Sequence, residues 1–190
     1  MQDGSEAGTE TFELSQSATG WVARGETVIH EGKSESRSTG LLRLNADGTP
    51  AHYEWSSQTP QKATGAVDFT GGLAKTSITL EGKDPYHQDF TFKSPRVAIL
   101  DNNLYDQYAL LAGLYDWNAK GKQTFPVLIP QDLTPGSIDV ESLGQQTIKG
   151  ISVEVLRAST PDLEIDLYLD SRRHLVRLEV PAAKVIVERQ

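Results

Sequence analysis

Asn102–Asn118, NNLYDQYALLAGLYDWN, is the one long stretch of this 190-residue chain that reads as a helix. Leu104, Tyr108, Leu111 and Tyr115 recur at spacings of four, three and four, which stacks them in one stripe. Leu110, Leu114 and Trp117 form a second apolar arc almost opposite. Asn102 or Asn103 supplies a cap, and Asp106 falls in the first turn, where the helix dipole favours an acid. Ala109 and Gly113 are small and four apart, which leaves room for another backbone between the arcs. A helix apolar on most of its circumference must be covered on more than one side. The stretch therefore predicts a helix sunk into something larger.

Outward from it in both directions the period falls from 3.6 to 2. Upstream, Phe12 and Leu14 alternate with Thr11, Glu13 and Ser15. Trp21, Ala23 and Gly25 share a face, and a switch of pattern near Gly25 predicts a bulge or bend. Asp47-Gly48 is the clearest hairpin signal, joining Ser34–Ala46 to Ala51–Thr59, and Gly71-Gly72 is a second turn. Lys62–Thr70, Leu73–Glu81 and Tyr86–Lys93 follow as strands, then the short apolar run Val97–Leu100. Downstream, Phe125–Pro130 is an apolar segment whose Pro126 suggests an edge position or a strand start, and it is the expected cover for the helix's second arc. Gly144 is read as the turn between Ser137–Leu143 and Gln146–Ala158, with Gly150 as a bulge. Asp162–Asp170 and His174–Val180 form a hairpin that a Ser171-Arg172 turn would register as Leu167 with Val176, Ile165 with Leu178 and Asp166 with Arg177. Strands recurring roughly every ten residues without intervening helices predict a mainly β fold. The expected architecture is an antiparallel meander curled into a barrel or half-barrel, with one α-helix plugging or packing on its concave side. Residues 1–8 read as a disordered N-terminal segment and 9–190 as a single β-rich domain.

Composition narrows the function. A net charge of −8 argues against nucleic acid and against an anionic membrane surface. The absence of cysteine removes disulfides, thiolate nucleophiles and cysteine metal sites. His30, His52, His87 and His174 have no ligand spacing, so no metal and no cofactor is expected. His87 beside Asp84 is the best candidate base; without a substrate in view it reads as a polar turn residue, and no catalytic residue is assigned. Asp162, Glu164 and Asp166 line one strand face beside Arg172, Arg173 and Arg177, the pattern of a charge-matched, solvated sheet.

The closing hairpin, IDLYLDSRRHLVRLEVP over Ile165–Pro181, resembles that of bacterial periplasmic half-barrel proteins, the lipoprotein-localisation carriers and related uncharacterised barrel families. The resemblance implies a curved sheet around an apolar cavity, a helical plug and an exported, periplasmic location with the signal peptide removed. The polar start, Met1 followed by QDGSEAGTE, fits the beginning of a mature exported domain.

The aromatic residues carry the functional expectation. Tyr53, Trp55, Phe90, Phe92, Leu104, Tyr108, Leu111 and Tyr115 are the candidate ligand-binding set: apolar walls for a lipid or acyl chain, with tyrosine hydroxyls to orient its polar end. Two other readings compete. One is a structural or protein-interaction domain of the cell envelope, with Ser34–Gly40 and Ser56–Lys62 as edges for a protein partner. The other is a small barrel enzyme using His87 or a buried carboxylate.

Overall fold

The computed structural model describes residues 6–32, 34–59, 61–119 and 121–189. The part of the N-terminal segment that spans 1–5 lies outside the described residues, as do Lys33 and Pro60. The fold is mainly β with one α-helix among the described residues, and its first sheet is a curled half-barrel.

That sheet is a meander of seven antiparallel strands in chain order: β1 (Gly8–Ser17), β2 (Gly20–Glu31), β3 (Ser34–Asn45), β4 (Pro50–Ser57), β5 (Ala63–Thr70), β6 (Leu73–Leu80) and β7 (Tyr86–Thr91). The Asp47-Gly48 turn forms as expected: the Gly48 N–H donates to the Asn45 carbonyl, Gly48 has a φ of 81°, and the Asp47 carboxylate accepts the Thr49 N–H. Gly71, at φ 59°, turns β5 into β6. The bulge expected at Gly25 is absent. β2 keeps unbroken register with β1 and β3, and its inner face runs on through Thr27. The apparent change of pattern arises because a buried threonine stands where an apolar residue was expected. Ser34–Gly40 and Ser56-Ser57 are not edges, since β3 pairs with β2 and β4, and β4 with β3 and β5. The free edges of this sheet are β1 and β7.

The second sheet has the order β14-β13-β12-β11-β10-β9-β8, from β8 (Ala98–Ile99), β9 (Gln123–Ile129), β10 (Thr134–Ile148), β11 (Ile151–Thr160), β12 (Leu163–Leu169), β13 (Leu175–Val180) and β14 (Val185–Glu188). β8 and β9 pair in parallel, Ala98 with Val127 and Ile99 with Leu128. β9 is interior, not an edge. Pro126 sits just outside the two positions paired to β8, so its missing N–H interrupts no bond there.

The glycines of the next hairpin exchange the roles expected of them. Gly144 is the bulge, with register slipping between Ser142 and Gly144, and the turn is Lys149-Gly150. Both turn residues have positive φ, 50° and 80°, the combination that matches strand twist in a two-residue hairpin. In the β12–β13 hairpin Leu167 faces Leu178, not Val176, and Asp166 faces Glu179, not Arg177. The connection is longer than two residues: the Asp170 carboxylate accepts the N–H groups of Arg172 and His174, and Arg173 takes a left-handed φ of 65°. The shift of two residues keeps Leu167, Leu178, Asp166 and Glu179 on their expected faces, but a bulge between Tyr168 and Leu169 follows, and Val176 packs with Val153, Val155 and Tyr168.

The helix α1 (Gln107–Leu114) is eight residues, not seventeen. Asn103 has a φ of 61°, so residues 102–106 turn and do not coil. Tyr115 and Trp117 lie beyond the helix, stacked edge to face with centroids 5.0 Å apart. Gly113 is exposed with open space beside it, so no backbone uses the gap that Ala109 and Gly113 were expected to provide.

Two compact units result. One holds Ala7–Asp106 with Pro126–Gly136; the other contains Gln107–Phe125 and Ser137–Gln190. In the second, Leu156, Ala158, Ile165, Leu167, Leu169 and Leu178 bury one sheet face. Its other face carries ion pairs: Arg157 grips Asp166 at 2.8 Å and reaches Glu164 at 3.5 Å, while Arg177 pairs with Glu179 and Glu188. The carboxylate row read from sequence is charge-matched, through Arg157 where Arg177 had been expected to face Asp166.

Candidate functional site: the concave face of the first sheet

Cross-strand register defines which side chains share the inner face of the half-barrel. One row runs Leu14, Ala23, Leu42, Tyr53, Val67, Thr76. The next runs Phe12, Gly25, Gly40, Trp55, Gly65, Ile78, and a third begins Glu10, Thr27, Ser38, Ser57. Tyr53, Val67, Ala23 and Leu42 are buried, as a core row should be.

Three glycines in the middle row are needed for what lies over them. A Cβ on Gly25 would stand 2.5 Å from the Asp106 carboxylate. On Gly40 it would meet Leu104 at 3.0 Å and the Tyr53 hydroxyl at 3.1 Å, and on Gly65 the Trp55 indole nitrogen at 2.3 Å. Gly25 and Gly40 make a flat floor under Asp106 and Leu104, and Gly65 makes room for the Trp55 indole.

Two carboxyl groups, Asp101 buried and Glu10 half-buried, fasten this segment. Asp101 accepts the Tyr53 hydroxyl at 2.7 Å on one oxygen and the Gln131 N–H at 2.8 Å on the other. Burial pushes its pKa up to about 7, and the Asp132 carboxylate adds to the rise; the two hydrogen bonds act the other way but do not offset burial. Glu10 accepts the Asp106 N–H at 3.0 Å and the Thr27 hydroxyl at 3.2 Å. The Asp106 side chain also acts on it, lowering its pKa, as do the Asp106 and Thr27 donors. Burial again holds the Glu10 carboxyl above its ordinary range.

Toward the β1 edge the inner face is open. Phe12 is 42% exposed, Leu14 46% and Trp21 37%, although all three point to the side that buries Ala23 and Tyr53. Leu14 faces Ala23 and lies diagonal to Trp21, and Phe12 faces Gly25, so the three form one patch bordering the glycine floor.

A separate groove of about 560 Å³ lies on the opposite face of the same strands. Its walls are the outward rows Thr11, Glu26, Thr39, Ser56 and Glu13, Arg24, Leu41, Glu54; the backbone between them is its base. Thr39 and Ser56 hydroxyls bond at 2.8 Å across it, and Arg37 pairs with Glu26. Charged and hydroxyl side chains line this groove together with Leu41.

The expected ligand-binding residues divide between the two units. Tyr53, Trp55, Phe90 and Leu104 are buried in the first, where Tyr53 and Leu104 meet over Gly40, and Phe92 is half-buried just past β7. Tyr108, Leu111 and Tyr115 belong to the second; Leu111 and Tyr115 are buried, and the Tyr115 hydroxyl donates to the Gly121 carbonyl. His87 is exposed on β7, opposite Ser77. Glu10, Asp101 and Trp21 were not singled out as site residues. Glu10 carried a usable signal, a charged residue two positions before Phe12 on the face that Phe12 and Leu14 share.

No protein-family model matches the chain, and no curated protein matches it. A crystal structure of a DUF1089 family protein from Pseudomonas aeruginosa is similar in fold. The two chains are 12% identical with a TM-score of 0.54, and the match covers 98% of this chain and 94% of that one. At this identity the likeness concerns the fold.

Proposed function

We propose that this protein binds an apolar or amphipathic molecule, a lipid or a single acyl chain, on the concave face of the first sheet beside β1. The observation that carries the reading is the inward-facing yet exposed trio Phe12, Leu14 and Trp21. Contiguous apolar surface left open to water is unfavourable, and surfaces of this kind mark sites of association. Covering half of a large apolar side chain contributes about 1 kcal/mol, so three give micromolar-range binding only when a polar end adds to them. An amphipathic ligand meets that requirement, because the exposed Gln16, paired with Trp21, borders the patch on the same face. The resemblance to periplasmic half-barrel carriers supports an exported location and a carrier-like role, without enzymatic chemistry.

The test uses N-phenyl-1-naphthylamine, an uncharged apolar fluorophore. Titration into the full chain is expected to give saturable fluorescence that Leu14→Asp weakens at least tenfold, while unfolding stability changes by less than about 1 kcal/mol, since Leu14 is exposed. Equal binding by the variant would contradict this placement of the site.

A further inference from the structure

The segment between β8 and α1 lies on the part of the concave face that an incoming chain would need next. Phe12 of the open patch is paired with Gly25, which Asp106 covers, and Gly25 is paired with Gly40, which Leu104 and Tyr53 cover. We infer that residues 101–106 form a proton-operated strap over this glycine floor, gripped at one end by Tyr53 and at the other by Glu10. Lifting the strap joins Gly25 and Gly40 to Phe12, Leu14 and Trp21 as one continuous floor. The turn at Asn102-Asn103 is exposed and already left-handed at Asn103, so it is the place where the backbone can pivot.

The grips respond to protons because of what faces them. Asp101 meets the Tyr53 hydroxyl from β4, the Gln131 amide from the 3₁₀ turn Pro130–Asp132, and the like charge of Asp132. Glu10 meets the Thr27 hydroxyl from β2, and the Asp106 amide and carboxyl and the Tyr105 backbone from the strap. Closed, the strap holds the Asp101 proton up to about pH 7; lifted into water, Asp101 releases it near its ordinary value of 3.8. The closed state is therefore strongest at low pH. Through Asp101 alone the lifted population grows by up to about tenfold per pH unit from pH 4 to pH 7, then levels off. Glu10, shifted in the same direction, adds to that rise.

That opening admits the ligand rests on the binding proposed above; the response to protons does not. Hydrogen exchange of the Leu104 and Asp106 amides in the full chain, divided by the intrinsic rates, reads the lifted population directly. The expected result is a rise from pH 4 to pH 7 that is flattened in Asp101→Asn and shallower in Glu10→Gln, substitutions that keep the shape and remove the titration. A wild-type profile flat with pH overturns the strap, and needs no variant to fold; a profile equally steep in Asp101→Asn also overturns it. Binding of N-phenyl-1-naphthylamine is followed over the same range. A pH-dependent strap with no probe binding at any pH retains the strap and removes the binding proposal. Probe binding with flat exchange does the reverse.

Discussion

Asp101 shows how a single side chain sets both order and cost in this fold. Its two oxygens organise Tyr53 and Gln131, yet its burial favours the neutral form. A carboxyl whose pKa is raised on folding stabilises the native state below the unfolded value of 3.8, and that contribution is lost as pH rises to about 7. Asp101→Asn does not titrate. Its stability relative to the parent is therefore expected to climb by up to ~4 kcal/mol between pH 4 and pH 7.5, read from urea unfolding at the two pH values. An unchanged difference would show that Asp101 stays charged in the fold. Sequence alone could not single out this residue. Asp101 and Asp106 look like ordinary helix-start acids, and only the cross-strand placement of Gly25, Gly40 and Tyr53 reveals what they touch.

At the scale of elements, turns decided what alternation could not. Period-2 patterning located nearly every strand, because one buried face imposes it. It does not fix register, since a slip of two residues leaves every side chain on the same face. The β12–β13 pairing made this visible: Leu167 meets Leu178 because Asp170 organises a longer turn through Arg172 and His174. Asp170→Ala removes both side-chain acceptors, and a loss of about 1–2 kcal/mol in unfolding free energy is expected with the sheet retained. No loss would mean that strand pairing alone holds the register. The same limit explains the exchange of roles between Gly144 and Gly150. Lys149 is not a typical partner for glycine in a tight hairpin, so nothing local marked Lys149-Gly150 as the turn. The helix was overextended for a related reason. Leu104, at helical spacing from Tyr108, packs instead on Gly40, and a left-handed Asn103 breaks the coil before α1 begins.

At the scale of the whole molecule, the mainly β character and the curled meander were legible from strand spacing, and the similarity to a DUF1089 family protein is a similarity of that fold. The expected binding set was chosen for aromatic content, and four of its members, Tyr53, Trp55, Phe90 and Leu104, fill the core of the first unit. The open apolar surface lies one edge away, on Phe12, Leu14 and Trp21, where pattern gives the face of a residue but not its exposure. The most direct test of the central claim is chemical. Full-length protein purified without detergent is extracted with chloroform and methanol, and the extract is examined by mass spectrometry beside that of Leu14→Asp. A lipid or acyl species recovered in near-stoichiometric amount from the parent and depleted in the variant is the predicted result. An extract carrying no such species from either protein, together with no saturable binding of an added fatty acid, would contradict it.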